Sequence, residues 1–365
     1  MQRIGAFVKK YVPVFTLVSA ALALVAFIFS LIAGRSHAFA DFMDSTVSTA
    51  YRFLMAKITG IFPISLFEIF VYLIVPLVAF IIFAAFRFCR TWTARIRYAF
   101  SLFGAVLIIY TSYVTALTMS YNVTPLDERL GVEYTEITED NLYDTAKALL
   151  DEANALASRL EFDESGSAVM PYSLDELSEK ISAAYAKLSA KHSFIKGFSS
   201  RVKPILTEGA MSSVHLLGIY TFYTGEANIN IDYPDFNLPY TTAHEFAHQR
   251  GIARENEANF VAFLVCLESD DDFIRYSGYL RLYEYVASSL YSTSKERYRE
   301  LIADMSESVR GELVADSEYA EQYKDSFYGK ISRKFNDMFL KMNGTEGVVS
   351  YGLVTKLAVA YYAVQ

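Results

Sequence analysis

The sequence predicts a membrane protein in which three N-terminal transmembrane α-helices precede a mostly α-helical α+β domain with a small sheet. Three observations lead there. Three long apolar runs fall within the first 122 residues. The charge is divided unevenly along the chain. Beyond residue 138 apolar residues recur at helical spacing, interrupted by one stretch rich in β-branched and aromatic residues. Residues 1–122 hold ten Lys and Arg against three Asp and Glu, whereas the rest holds 23 against 38. That division reads as a membrane anchor, residues 1–122, and a water-compatible domain, residues 123–365. Nothing in it is basic enough for nucleic-acid binding.

The apolar runs cover about residues 11–33, 64–86 and 98–121, each long enough for the roughly 20 residues a bilayer core needs. The first carries no charge, the second only Glu68, and the third has small and hydroxyl residues suited to helix contact. Glu68 lies in the first turns of its run and reads as interfacial. Arg3, Lys9 and Lys10 precede the first run, and Arg87, Arg90, Arg95 and Arg97 fill the link between the second and third. The loop from Gly34 to Pro63 is mixed in charge. Positive residues favour the cytoplasmic side, so the N-terminus is expected inside and the C-terminal domain outside the cytoplasmic membrane. The Ala38-Phe39-Ala40 step resembles a cleavage site, but the first apolar core is too long for a typical signal peptide. Cys89 and Cys266 fall on opposite sides in this topology and form no pair.

In the soluble part, Thr138 with Glu139 and Asp140 opens a helix, and Ser173 with Glu176 makes a capping box for another, reaching about His192. The run VHLLGIYTFYTGEANINIDYP, with Gly225 at its turn, reads as strand or hairpin. Pro234 and Pro239 punctuate the loop that follows. From Arg254 onward the pattern is helical again, and the last apolar run is too short for a fourth span.

The chemistry gathers in HEFAHQRGIARENEANF, residues 244–260. On a helix, His244 and His248 share a face and can aim two imidazole nitrogens at one ion. Glu245 stands about 100° round from His244, beside that ion, where a general base for an activated water belongs. Gly251 offers a helix stop. Catalytic Zn²⁺ takes three protein ligands and keeps one open position, and either Glu255 or Glu257 can complete the set.

HExxH followed by a helix opening Glu255-Asn256-Glu257-Ala258-Asn259 is similar to the gluzincin metallopeptidases, and the whole layout resembles an uncharacterised bacterial membrane family carrying a zincin-type signature. The resemblance implies a zincin-like fold, Zn²⁺ as cofactor, Glu255 as third ligand and Asn259 against the far nitrogen of a zinc histidine, with Glu257 the second choice nearby. It departs from the family in the short spacing between His248 and Glu255. A metzincin would need a histidine where Arg254 stands. In zincins an edge strand upstream of the active helix holds extended substrate, here expected within Ile219–Asn230. Gly225-Glu226-Ala227-Asn228 is loosely similar to an aminopeptidase segment whose Glu binds a substrate amino terminus, one residue shorter and without its Met. Glu226 is therefore a substrate-binding candidate, with a turn-flanking surface glutamate as the plainer reading. An oxyanion also needs a donor. Tyr351 is favoured over His215, Tyr240 and Arg254, because Gly352 beside it permits close approach to a ligand.

The expected function is a membrane-anchored zinc metallopeptidase acting on peptide or protein substrates at the outer membrane face. The alternative is a non-catalytic zinc-binding or sensor protein on the same fold.

Overall fold

The computed structural model describes residues 2–134, 136–343 and 353–363. It is mostly helical with one three-stranded sheet. Three helices are long and apolar enough to cross a membrane: Val14–Ala33, Leu66–Arg87 and Trp92–Tyr121. The first and third pack together where residues are small. Gly104 lies so near Phe15 and Thr16 that an added Cβ would come within 3.1 Å of the Thr16 Cα, and Thr16 Oγ1 donates to the Phe100 carbonyl at 2.8 Å. The second helix begins at the Ser65 N-cap and carries Pro76 inside it.

The segment between the first two apolar helices departs from the expected loop. It folds as His37–Met43, a π-helical turn at Asp44–Ser48, and Thr49–Thr59. The reason is burial. Arg52 is wholly buried and its Nη2 pairs with Asp44 Oδ1 at 2.9 Å. Its Nη1 donates to Ser120 Oγ at 2.8 Å and to the Ala116 carbonyl at 3.1 Å, at a second π-helical turn, Val114–Thr118. Charges that look like loop punctuation thus join this segment to the end of the third apolar helix.

In the remainder, both predicted caps are present. Thr138 and Asn141 form a capping box for Glu139–Ala157, and Ser173 and Glu176 do so for Leu174–Lys191. Strand β1 (Val202–Ile205) pairs in parallel with β3 (Glu226–Asn230), and β2 (Gly218–Thr221) pairs antiparallel with β3. The order is β1-β3-β2, so β2 is an edge strand. Gly225 turns the β2–β3 hairpin at φ +68°. β1 was not expected: it is short, and its Pro204 is tolerated because β1 is the other edge.

The sheet backs the motif helix, Asn237–Gln249, which packs against Glu255–Leu267, here termed the ligand helix, and against the long helix Asp272–Thr293. Phe246, Phe260, Phe263 and Leu280 are fully buried where these meet. Leu353–Tyr362 closes the same core. Cys89 and Cys266 are free and buried.

Candidate metal centre

The motif helix ends as its sequence dictates. Gly251 adopts φ +95°, its N–H bonds the His248 carbonyl at 3.1 Å, and the Ile252 N–H bonds the Ala247 carbonyl at 3.0 Å. This is a Schellman closure, which needs a residue free of Cβ strain at that φ. The reversal brings the Ile252 carbonyl back to His248 Nδ1, at 2.8 Å. With Nδ1 donating its proton there, the His248 Nε2 lone pair points into the centre.

The chain leaving Gly251 starts the ligand helix at Glu255, whose carboxylate returns to both histidines. His244 Nε2 and His248 Nε2 are 3.0 Å apart, and Glu255 oxygens lie 3.4 and 3.6 Å from them. Three ligands at zinc distance in a tetrahedral arrangement are spaced by about 3.3 Å. The three donors therefore fit a single zinc-sized ion, and among the described residues they form the one His/Glu group close enough to hold one. They also attract each other electrostatically. Burial pulls the His248 imidazole down, but the charge and hydrogen bond of Glu255, the Glu245 charge and the Ile252 carbonyl together raise the ring to about 9. Burial likewise opposes the Glu255 charge, yet the two imidazoles hold that carboxyl well below the usual range. A divalent cation would take the place of the shared protons.

Glu245 lies beside the donor set. Burial pushes its carboxyl up to about 7, with the histidines opposing the rise, and the Tyr220 backbone N–H donates to it. Its Oε2 is buried without a partner among the described residues. The approach is close because β2 presents a glycine. A Cβ at Gly218 would lie 2.8 Å from the Glu245 Cδ, so any larger residue there displaces the carboxylate. Nothing local in the sequence marked Gly218, since its partner lies 27 residues on and meets it only in the fold.

The other expected residues divide. Glu257 does not join the donor set: it accepts from Arg254 Nη1 at 2.7 Å and from the Leu126 N–H at 3.1 Å. Arg254 in turn donates to the Tyr121 and Val123 carbonyls, both at 2.9 Å, so this pair fastens the connector after the third apolar helix. Asn259 faces the cleft but makes no bond to a histidine, and His244 Nδ1 is buried without a partner among the described residues. Glu226 corrects both of its readings. It is 1% exposed, pairs with the buried Lys203, and accepts the Leu66 and Phe67 N–H groups at 3.0 and 2.9 Å. It anchors the start of the second apolar helix, where the helix dipole favours a negative charge, and it does not line the cleft. Glu68 grips the domain from the other direction, accepting from Leu206 and Thr207 N–H at 3.1 and 2.8 Å.

Of the oxyanion donors, Tyr351 lies outside the described residues. Tyr240 is committed to the Asn259 carbonyl at 2.8 Å and Arg254 to its own network. His215 lines the cleft in a left-handed conformation, φ +58°. Sequence reading missed Tyr285, which also lines the cleft; burial raises its phenol to about 12, and the Glu255 charge adds to that rise. It stands on the long helix in a run legible only as helical.

His244, Glu245, His248, Glu255, His215 and Tyr285 line one cleft of about 940 Å³, bounded by the motif helix, β2, the long helix and the helix Phe327–Met342. A family model described as a protein of unknown function (DUF3810) matches residues 45–359. The chain belongs to that family. No curated protein and no solved structure matches it.

Proposed function

We propose that this member of the DUF3810 family is a membrane-anchored zinc metallopeptidase with its cleft outside the cytoplasmic membrane. The observation that carries the reading is the convergence of His244, His248 and Glu255 at zinc spacing, with Glu245 alongside. The three donors fit zinc, which when bound supplies Lewis acidity toward water and a scissile carbonyl. Glu245 takes the proton from the attacking water and returns it to the departing amine. The edge strand β2, with no neighbouring strand on its cleft side among the described residues, receives an extended peptide through main-chain hydrogen bonds. Tyr285 and His215 are among the described side chains on the cleft wall that can donate toward the carbonyl oxygen.

The same contacts support the proposed sidedness. The start of the second apolar helix and the end of the third both meet the soluble part, through Glu226, Glu68 and Arg254. The arginine-rich link lies at their opposite ends, and the preference of positive residues for the cytoplasmic side supports a cytoplasmic link and an outward cleft.

Full-length protein, purified in detergent and incubated with a mixed peptide library, is expected to cleave peptides. A chelator should abolish the cleavage and added zinc restore it, read by mass spectrometry. Protein that holds zinc and cleaves nothing across the library would leave the binding-protein reading in its place.

A further inference from the structure

The helix Phe327–Met342 exposes an unusual set of large apolar side chains. Phe327, Ile331, Phe335, Met338 and Met342 recur at helical spacing and fall on one face; Met342 is 76% exposed. Gly329 and Leu340, on another side, are buried. Lys330, Lys334 and Lys341 flank the apolar face on its remaining side, and the helix carries four basic residues against the single Asp337. Such a division, apolar on one side and lysine-edged beside it, matches a helix lying in a membrane interface.

Its position agrees. The 30-residue third apolar helix is longer than the bilayer core by roughly a third of its length, and its last turn is bonded to the C-terminal part through Arg254, which favours headgroup level for that end. There Phe339 packs on both Tyr113 and Tyr121, with ring centroids 6.4 Å apart in each case, and Tyr113 Oη donates to Asn343 Oδ1 at 2.8 Å. The side of the helix next to the apolar face thus packs on the end of the third membrane helix. The same helix is one wall of the cleft: Phe335, Asn336 and Phe339 line it, and Gly329 rests so close to His215 that a Cβ would overlap the ring.

We infer that Phe327–Met342 is an interfacial helix whose Phe327/Ile331/Phe335/Met338/Met342 face is buried in the outer leaflet, seating the rim of the cleft on the bilayer surface. This rests on the membrane anchoring proposed above and on no catalytic step. The lysines reach anionic headgroups while the aromatic and methionine side chains enter the acyl boundary.

The sole tryptophan, Trp92, stands at the start of the third apolar helix and reports separately on anchoring. Full-length protein is reconstituted in vesicles of phosphatidylcholine and phosphatidylglycerol, the phosphatidylcholine being either plain or brominated on its acyl chains. In wild-type protein, brominated lipid should quench Trp92. In a Trp92→Phe background, Met338→Trp and Met342→Trp should each be quenched and show blue-shifted emission. Quenching of Trp92 with water-like, unquenched emission from both new tryptophans overturns the interfacial helix and leaves the anchor standing. Unquenched Trp92 overturns the anchor, and this inference with it.

Discussion

Exchanging Glu245 for glutamine is expected to lower peptide hydrolysis by about 100- to 10,000-fold, the range typical of a lost general base. Metal content should not change. Glutamine keeps the shape that fits against Gly218 and can still accept the Tyr220 N–H, so the cleft retains its form. What disappears is proton affinity. Buried beside the donor set, Glu245 is poised near neutrality, where it can take a proton from water and give it up again within one turnover. An amide does neither. The loss should fall on kcat with little change in KM, because Glu245 acts in the transition state rather than in holding peptide. A Glu245→Gln protein that hydrolyses at the wild-type rate would remove the proposed mechanism while leaving the metal centre open.

The largest expected effect on stability lies away from the centre. Arg52→Ala should destabilise the protein by about 3–5 kcal/mol, the cost of leaving one partner of a buried ion pair alone. Arg52 fastens three things at once: Asp44, the Ala116–Ser120 turn of the third apolar helix, and the loop closing the motif helix. A Cβ on Gly251 would stand 2.9 Å from both Arg52 Cζ and Asp44 Oδ2. The helix reversal that orients His248 thus rests directly on the Arg52–Asp44 pair. Removing the arginine leaves the Asp44 side chain buried with the Ser120 hydroxyl as its remaining hydrogen-bond partner among the described residues. Replacing Arg52 and Asp44 together by apolar residues of similar volume should cost much less, since no charge is then stranded. Thermal unfolding of the full-length protein in detergent reads both, and an unchanged midpoint for Arg52→Ala would contradict this account of the join.

That join shows where sequence reading stopped. The apolar helices, the capped helices at Thr138 and Ser173, the Gly225 hairpin and the His244–His248 face were legible because each is written in residues a few positions apart. The sheet was only half legible: β1 is four residues long and contains Pro204, so its pairing with β3 appears only in the fold. The segment after Gly34 looked like a loop because Asp44 and Arg52 are charged, and burial of opposite charges against each other cannot be seen from composition. Glu226 shows the converse, a residue whose neighbours suggested a substrate contact but whose partners, Lys203 and the Leu66 helix start, lie far off in sequence. The resemblance preferred Glu255 to Glu257, but the physical reason, Arg254 claiming Glu257, appears only in the fold. Gly218 and Tyr285 meet the centre through strand and helix packing, and their residue types carry no local mark.

The central claim is that His244, His248 and Glu255 together hold one zinc ion. Elemental analysis of full-length protein purified without chelator tests it most directly, in the wild type and in Glu255→Ala and Glu257→Ala. The account predicts near-stoichiometric zinc in the wild type and in Glu257→Ala, and its loss in Glu255→Ala. Wild-type protein without a bound divalent metal, or zinc retained in full by Glu255→Ala, would contradict it.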